Sequence, residues 1–255
     1  MDCLRYVDNH AIHKGMAMVD RALETRLACE NWSEHLHRVN ASGFTVIENL
    51  LDPDVCQRLI DSYCEPDIFR SCINMSRHGF GSGQYKYFAY PLPSIIATLR
   101  SCVYPQMVPL ANYWNTKLGL EPPYPERHED FLSQCHDARQ ERPTPLLLRY
   151  GAGDYNCLHR DLYGDILFPV QMAILLSEPN DDFSGGEFVL TEQRPRMQSR
   201  VNVVPLRKGD AVIFAVNRRP VKGARGFYSV FTRHGVSEVR AGERFTLGVI
   251  FHDAQ

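Results

Sequence analysis

Short apolar β-strand patterns, separated by turn residues, fill this chain from residue 145 to its end. Besides the apolar run that follows Pro145, such segments lie at residues 170–176, 187–190, 201–204 and 211–216, with Gly, Pro, Asn and Asp between them. Short strands with regular turn signals are typical of an all-β sandwich or barrel. A double-sheet jelly roll leaves few strand edges exposed. We therefore predict that residues 145–255 form a jelly-roll core, also called a double-stranded β-helix.

The first 144 residues show mainly helical patterns, in which apolar residues recur at three- and four-residue steps. The predicted helices cover residues 11–41, 53–63, 94–118 and 126–139. Asn31 is a candidate N-cap that divides the first, and Pro53 suits the first position of the second. Pro105 and Pro109 are expected to break or kink the third, because proline lacks the N–H that a helix interior needs. We predict an α+β protein whose N-terminal region (residues 1–144), helical with a few strands, packs its helices on one sheet of the core.

Two histidines and an aspartate stand in an order that suits a metal site. His159 and Asp161 are two residues apart, and residues so spaced on a strand point to the same face. A His-x-Asp pair alone also fits an ordinary surface or core pair, but His234 follows a second β-rich run in the chain. Two imidazoles and a carboxylate on one face of a metal form the facial triad of non-haem Fe(II) oxygenases. We predict that these three residues bind Fe(II).

An arginine ten residues after His234 indicates what else the metal would hold. Arg244 begins an alternating segment on which Thr246 shares its face. A guanidinium binds a carboxylate through two parallel hydrogen bonds, and 2-oxoglutarate offers a distal carboxylate. Three protein ligands leave two positions for 2-oxoglutarate and one for O2. Both are therefore expected as co-substrates.

At this point the chain resembles the Fe(II)/2-oxoglutarate dioxygenases, in the branch close to prolyl hydroxylases. The matching segments are residues 149–161, 183–187, 209–214 and 234–244. Within that branch the chain is most similar to a bacterial subgroup described as oxygenases acting on damaged nucleic acid. The resemblance spans about the C-terminal 105 residues and implies a jelly-roll oxygenase.

The resemblance also implies roles for individual side chains. The three predicted ligands would bind iron, Arg244 would hold the C5 carboxylate of 2-oxoglutarate, and Thr246 would assist it. Tyr150 matches a tyrosine that often lines the co-substrate pocket, although a tyrosine buried for packing alone fits the sequence equally well. Arg160, between two ligands, departs from the uncharged residue common there and would face substrate or solvent.

Charge is distributed unevenly along the chain. Residues 194–244 contain twelve Lys and Arg against three acids, a net charge of +9. Because the whole chain carries −2, the other residues carry −11. The basic residues concentrate in segments 194–200 and 218–225, which we interpret as loops between core strands.

A positive loop pair beside an active site suits a phosphate backbone, whereas a solvated basic face or another anionic substrate would show the same pattern. Arg160, Arg218, Arg219 and Arg225 are the candidate substrate contacts. Together with the resemblance, they favour an enzyme that oxidatively dealkylates alkylated nucleic-acid bases, as in DNA repair. Such enzymes flip the target base into a pocket.

Composition sets the broad class of the protein. Hydrophobic residues make up 44% and charged residues 23% of the chain, as in soluble globular proteins. No apolar run approaches the roughly 20 residues of a membrane helix. The start lacks a signal-peptide pattern, and none of the eight cysteines forms a C-x-x-C motif, so we expect reduced thiols and a cytoplasmic location.

Two alternatives stay open at the level of sequence. The same cofactors would serve a hydroxylase of prolyl or other protein side chains, or of a small molecule. A jelly-roll module that binds a metal without turnover is the other alternative, although such a module has no use for Arg244. The sequence leaves the oligomeric state undetermined.

Overall fold

The computed structural model describes residues 9–120 and 123–255, with side chains described from residue 19 onward. Its helices are α1 (Asn9–Cys29), α2 (Trp32–Ser42), α3 (Pro53–Asp61), α4 (Ser94–Leu118) and α5 (His128–Asp137). The side chain of Asn31 accepts a hydrogen bond from the backbone N–H of Glu34 and so caps α2, as expected. Pro53 occupies the start of α3. The four predicted helical segments are therefore confirmed, the first of them as two helices.

Helix α4 continues through Pro105 and Pro109 without a break, so of the two expected outcomes the break is wrong and the kink stays a prediction. Its buried face includes Leu99, Tyr104 and Trp114, each at most 1% exposed. Most helical stability in proteins comes from the packing of such a face. Burial here offsets the hydrogen bonds that the two prolines remove.

The strands form two large antiparallel sheets and a small pair. They are β1 (Phe44–Ile47), β2 (Phe69–Asn74), β3 (Gly81–Ser82), β4 (Gln84–Phe88), β5 (Leu146–Tyr150), β6 (Tyr155–His159), β7 (Val170–Leu175), β8 (Phe183–Gly185), β9 (Phe188–Gln193), β10 (Arg200–Val204), β11 (Ala211–Ala215), β12 (Arg218–Gly223), β13 (Gly226–Val236), β14 (Val239–Gly242) and β15 (Arg244–Val249). The major sheet has the order β1-β11-β7-β15-β5-β4-β2, and the minor sheet has the order β10-β9-β13-β6-β3. Strand β14 pairs with β8.

This arrangement confirms the predicted α+β fold with a jelly-roll core. Three strands from the first 144 residues (β1, β2 and β4) extend the major sheet, and β3 extends the minor one. The N-terminal region is thus hydrogen-bonded into both sheets. Its separation from the core at residue 145 stays a prediction.

Residues 218–225 were expected as a loop, and this is wrong. Residues 218–223 form β12, which pairs in register with the first half of β13, from Arg218 opposite Phe231 to Gly223 opposite Gly226. Pro220 lies inside the strand. Strand β12 has a partner on one side only, and proline is tolerated on such edge strands. The first basic segment does contain a loop, at residues 194–199, before β10 begins at Arg200.

Two clusters of buried side chains lie on opposite faces of the major sheet. One joins the sheet to the helices and includes Phe245 and Leu247 of β15. The other lies between the two sheets and includes Tyr150 and Phe214. Because side chains alternate along a strand, Arg244 shares the second side with Thr246, as predicted. The predicted metal ligands, Arg244, Thr246 and Tyr150 all face this interior between the sheets.

Two further properties of the described residues bear on the sequence-based expectations. None of their helices combines the length and the apolar character that crossing a membrane requires. The seven cysteines among them are all free thiols, as expected, and Cys3 lies outside the described residues.

Candidate active site

The three predicted metal ligands meet between the sheets. His159 ends β6, and His234 lies directly opposite it on β13. The carboxylate of Asp161, just past β6, faces both rings. Its Oδ1 is 3.4 Å from Nε2 of His159, and its Oδ2 is 3.3 Å from Nε2 of His234. One donor atom from each residue lies within 4.8 Å of the others, which is close enough for all three to bind a single ion.

A β-bulge in β6, opposite Gly235 of β13, sets the pairing that brings these rings together. The register shifts between His234, opposite His159, and Val236, opposite Asn156. Gly235 stands at the shift, where an added Cβ would lie 2.7 Å from the carbonyl oxygen of Asn156. A side chain at this position would therefore push β6 away. The bulge lets His159 and Asn156, three residues apart, both face the interior.

The electrostatics of the three residues favour an ionised carboxylate between imidazoles. Burial would raise the pKa of Asp161, but the imidazoles of His234 and His159 hold it well below its usual range. For His159, burial opposes protonation, but the hydrogen bond and charge of Asp161 and the backbone contacts at Cys157 and His234 together outweigh burial and raise the pKa. Burial, followed by the neighbouring His159, lowers the pKa of His234. A divalent cation that displaces the proton shared between His159 and Asp161 would complete this arrangement, because metal binding requires neutral imidazoles and an ionised carboxylate.

Hydrogen bonds orient two of the ligands. Nδ1 of His159 donates to the carbonyl oxygen of Cys157 at 2.7 Å, so the proton of the neutral ring is on Nδ1 and the lone pair of Nε2 faces the other ligands. The hydroxyl of Tyr163 donates to Oδ1 of Asp161 at 2.8 Å. Two histidine nitrogens and one carboxylate, so held, fit Fe(II) in its facial-triad environment.

Arg244 is a buried cation that lacks an anion. It is 1% exposed, and no carboxylate of the described residues forms an ion pair with it. One of its terminal nitrogens donates to the hydroxyl of Thr246, while Nε is buried without a partner. Burial lowers its pKa to about 10. A buried charge is costly unless it is paired, so this guanidinium fits the carboxylate of 2-oxoglutarate.

The surroundings of Arg244 leave space for that carboxylate. Gly186 has a φ of +61°, and a Cβ there would lie 2.9 Å from Cδ of Arg244, so a larger residue would displace the guanidinium. The ring of Tyr150 lies 5.6 Å from the guanidinium carbon. Its hydroxyl accepts a hydrogen bond from Asn156, and burial raises its pKa to about 12. Tyr150 is therefore a neutral wall of the predicted co-substrate pocket.

A cavity of about 230 Å³ contains this whole set of groups. The triad, Arg244, Thr246 and Tyr150 all line it, with apolar walls that include Leu148 and Phe214 of the major sheet and Phe188 of the minor sheet. A small number of polar groups, held in fixed positions in a mostly apolar cavity, is typical of a small-molecule site. Arg160 and Phe80 also line it, and Phe80 is 47% exposed, so this part of the wall reaches solvent.

Comparison with known proteins places the chain in a family. Residues 83–254, more than half of the chain, match the model of the Oxygenase-NA family, described as "Oxygenase, catalysing oxidative methylation of damaged DNA". The chain belongs to the Oxygenase-NA family. This match begins well before the motifs of the sequence analysis and takes in β4 and α4. Membership makes the protein an oxygenase, hence an oxidoreductase, as expected.

The chain is also similar to a curated relative in sequence and to solved structures in fold. "Uncharacterized protein Rv2227" of Mycobacterium tuberculosis (strain ATCC 25618 / H37Rv) is 47% identical over 167 residues, which cover 66% of this chain and 72% of that protein. The fold is similar to a Pseudomonas putida prolyl-4-hydroxylase (TM-score 0.51, 15% identity, 85% of this chain and 96% of that chain). It is also similar to a Trichoplax adhaerens prolyl hydroxylase solved with a hypoxia inducible factor peptide (TM-score 0.54, 16% identity, 96% and 94%).

The candidate substrate residues of this Oxygenase-NA protein lie in different environments. Arg160 lines the metal cavity and donates to Oδ1 of Asn217 at 3.0 Å. Arg218 is exposed at the start of β12, and Arg225 is exposed in the turn that follows. These three are accessible to a ligand, and their role stays a prediction.

Arg219 requires a correction. Its side chain is 2% exposed, pairs with the buried Glu192, and donates to the carbonyl oxygen of Asn40 at 2.8 Å. Strand alternation turns it away from Arg218. A guanidinium so engaged cannot meet a phosphate, so Arg219 stabilises the fold between β9, β12 and α2.

Sequence reasoning missed three polar side chains of the cavity. Tyr163 holds Asp161, Asn156 holds Tyr150, and Gln171 is 4% exposed with its Oε1 buried and unpartnered. For Tyr163 a signal existed, because it stands two residues beyond Asp161, the same spacing that joined the first two ligands. Asn156 gave none, because the bulge opposite Gly235 breaks the alternation of β6.

Proposed function

We propose that this oxygenase depends on Fe(II) and 2-oxoglutarate and oxidatively dealkylates alkylated bases in nucleic acid. One observation carries the proposal: a single cavity is lined by the three predicted metal ligands, by the buried guanidinium of Arg244 and by Arg160. Neither arginine has an acidic partner among the described residues, and Arg160 lies at the exposed wall. The description of the family supports the class of substrate.

Different side chains of the cavity perform different parts of such a reaction. Fe(II), with 2-oxoglutarate and O2, supplies the oxidation of an unactivated C–H bond and releases succinate and CO2. Arg244 and Thr246 bind the distal carboxylate and thereby orient the keto acid. Tyr163 and the carbonyl of Cys157 hold two ligands in place, and the apolar walls keep water out. Hydroxylation of an N-methyl carbon gives a hemiaminal, which breaks down to formaldehyde and the repaired base.

Unpaired charge beside the cavity supports a polyanionic substrate. Five cations form no ion pair with a described residue: Arg160 in the segment after β6, Arg218 and Lys222 on β12, Arg225 in the turn that follows β12, and Arg233 on β13. Glu192, on the neighbouring β9, already pairs with Arg194 and Arg219. Uncompensated cations attract phosphates over a distance set by the ionic strength.

The test is product formation from competing substrates. The iron-loaded protein is incubated with 2-oxoglutarate and an N-methylated oligonucleotide, and formaldehyde and succinate are measured. We expect both products in equal amounts, with His234→Ala producing neither. Proline-containing peptides serve as the comparison. The proposal is wrong if such peptides stimulate succinate release while the oligonucleotide neither binds nor reacts.

A further inference from the structure

The exposed aromatic ring of Phe231 lies near the guanidinium of Arg160 at the edge of the metal cavity, and Arg218 is its partner in the strand pairing. We call Arg160, Arg218 and Phe231 the rim platform. Phe231 is 45% exposed, and the guanidinium carbon of Arg160 lies 6.0 Å from its ring centre. Arg218 stands directly opposite Phe231 in the β12–β13 pairing, so both side chains are on the same face of the ribbon.

The topology explains why the rim platform adjoins the metal. At Phe231, β13 pairs with β9 on one side and with β12 on the other. At His234, the side opposite β9 is taken by His159 of β6. The end of β6 and the start of β12 therefore follow one another along the same side of β13. The hydrogen bond from Arg160 to Asn217 joins these two ends.

A second cavity continues from this point. Its volume is about 320 Å³, and it shares Asp161 and Leu162 with the metal cavity. Arg218 and Asn217 form one wall, and the aromatic or apolar residues of the other walls include Trp114, Tyr124 and Phe168. The two cavities and the rim platform are thus neighbours, with the segment 160–162 between them.

We propose that the protein takes nucleic acid as a single strand, and that the rim platform and the second cavity bind the nucleotides next to the target base. This inference rests on the proposed function. Base faces stack on exposed aromatic rings without regard to sequence, and cations beside them track the backbone phosphates. A solvated basic face would account for the two arginines but not for an exposed phenylalanine beside them.

The ring of Phe231 and the second cavity favour an unpaired strand over a duplex. Phosphates are available to Arg160 and Arg218 in a duplex as well as in a single strand. Bases inside a duplex are stacked on each other and cannot cover Phe231 or enter a cavity without paying the energy of unstacking. Part of the binding energy is therefore available only to an unpaired strand.

The experiment measures binding apart from turnover. Full-length protein, loaded with Mn(II) and 2-oxoglutarate, is titrated into a labelled, unmodified oligothymidylate of about twelve nucleotides and into its duplex with oligoadenylate. Fluorescence anisotropy gives Kd at several salt concentrations. We expect the single strand to bind about tenfold more tightly than the duplex, which corresponds to one stacked base.

Variants separate stacking from charge. Phe231→Ala is expected to weaken single-strand binding about tenfold and duplex binding little, while Phe231→Trp keeps the affinity and Phe231→Leu does not. Arg218→Ala should weaken the binding of both probes and reduce the slope of log Kd against log salt concentration by about one. Arg58 is the matched control, because it is exposed on α3 and lines neither cavity, so Arg58→Ala should change nothing.

The results of these experiments separate the single-strand inference from the proposed function. Equal affinity for the single strand and the duplex, or an unchanged Kd in Phe231→Ala, overturns the single-strand inference. The proposed function is still supported in that case if the protein releases formaldehyde from a methylated oligonucleotide. If the wild-type protein binds neither probe and releases no formaldehyde, the proposed function fails and the inference fails with it.

Discussion

At the scale of single residues, the metal centre depends on a hydroxyl that is not a ligand. Tyr163 donates to Oδ1 of Asp161, and burial, followed by the charge of Asp161, raises its pKa well above the usual range. The hydroxyl therefore keeps its proton at any working pH and restricts the rotation of the carboxylate. Groups of this kind are worth about 10- to 100-fold in metal affinity.

Tyr163→Phe should consequently weaken metal binding about tenfold while it preserves the ring packing. The measurement is the Kd for Mn(II), by calorimetry on the metal-free protein. Tyr155→Phe is the control, because Tyr155 is 42% exposed on β6 and lines neither cavity. Equal Mn(II) affinity in Tyr163→Phe and the wild type would remove Tyr163 from the role of a positioning residue.

Residue-level prediction from sequence succeeded where a strand fixed the direction of a side chain. Arg244 and Thr246 share the interior face because they are two apart on β15. It failed for Arg219, because an arginine beside Arg218 in a basic segment gives no sign of burial. Its partner Glu192 is 27 residues away, and a contact at that separation depends on the pairing of β9, β12 and β13.

At the scale of elements, the corrected strand β12 has an energetic consequence. Arg219→Met should lower the free energy of unfolding by about 3 kcal/mol, because it leaves Glu192 buried with only the partly exposed Arg194 as a partner. Urea denaturation measures this change. The double variant Arg219→Met, Glu192→Met should recover much of the loss, since replacing both ions with apolar groups removes the unpaired charge.

A different outcome would restore the original interpretation of Arg219. If Arg219→Met leaves stability unchanged and instead weakens oligonucleotide binding as much as Arg218→Ala, the residue acts on substrate after all. The matched comparison with its neighbour on β12 makes the two roles distinguishable.

Element prediction depended on local signals and failed where packing opposed them. The cap at Asn31 and the start at Pro53 were sufficient to place α2 and α3. The prolines of α4 indicated a break or kink, and segment 218–225 was interpreted as a loop, yet a buried helix face and an edge position allow a continuous helix and a strand. The jelly-roll pattern itself was predictable, because its strands alternate and its turns are marked.

At the scale of the whole molecule, residues 251–253, which follow β15, connect helices α4 and α5 to the major sheet. Asp253 is fully buried and pairs with Arg100 of α4 and with His136 of α5. His128, also on α5, donates from Nε2 to the carbonyl oxygen of Phe251 at 2.8 Å. Burial lowers the pKa of His128 to about 4. These contacts connect distant parts of the chain, so no local sequence signal indicates them.

The depressed pKa of His128 makes stability depend on pH. The unfolded chain takes up a proton near its ordinary pKa of 6.5, whereas the folded protein does so only near 4. Stability from this residue is therefore complete above pH 6.5 and is lost as pH falls toward 4, by on the order of 2 kcal/mol. His128→Asn keeps an amide donor for the carbonyl of Phe251 and cannot titrate.

Urea unfolding at about pH 7 and about pH 4.5 tests this linkage. The variant should show a smaller loss of stability between the two values than the wild type. An identical loss in both proteins would mean that His128 is not the buried neutral group described above.

The most direct test of the oxygenase site is a crystal structure of the protein with Mn(II) and 2-oxoglutarate. We expect one metal ion bound by Nε2 of His159, Nε2 of His234 and a carboxylate oxygen of Asp161, with the distal carboxylate of 2-oxoglutarate on Arg244. A metal bound by other residues, or a keto acid whose distal carboxylate lies away from Arg244, would contradict the proposed chemistry.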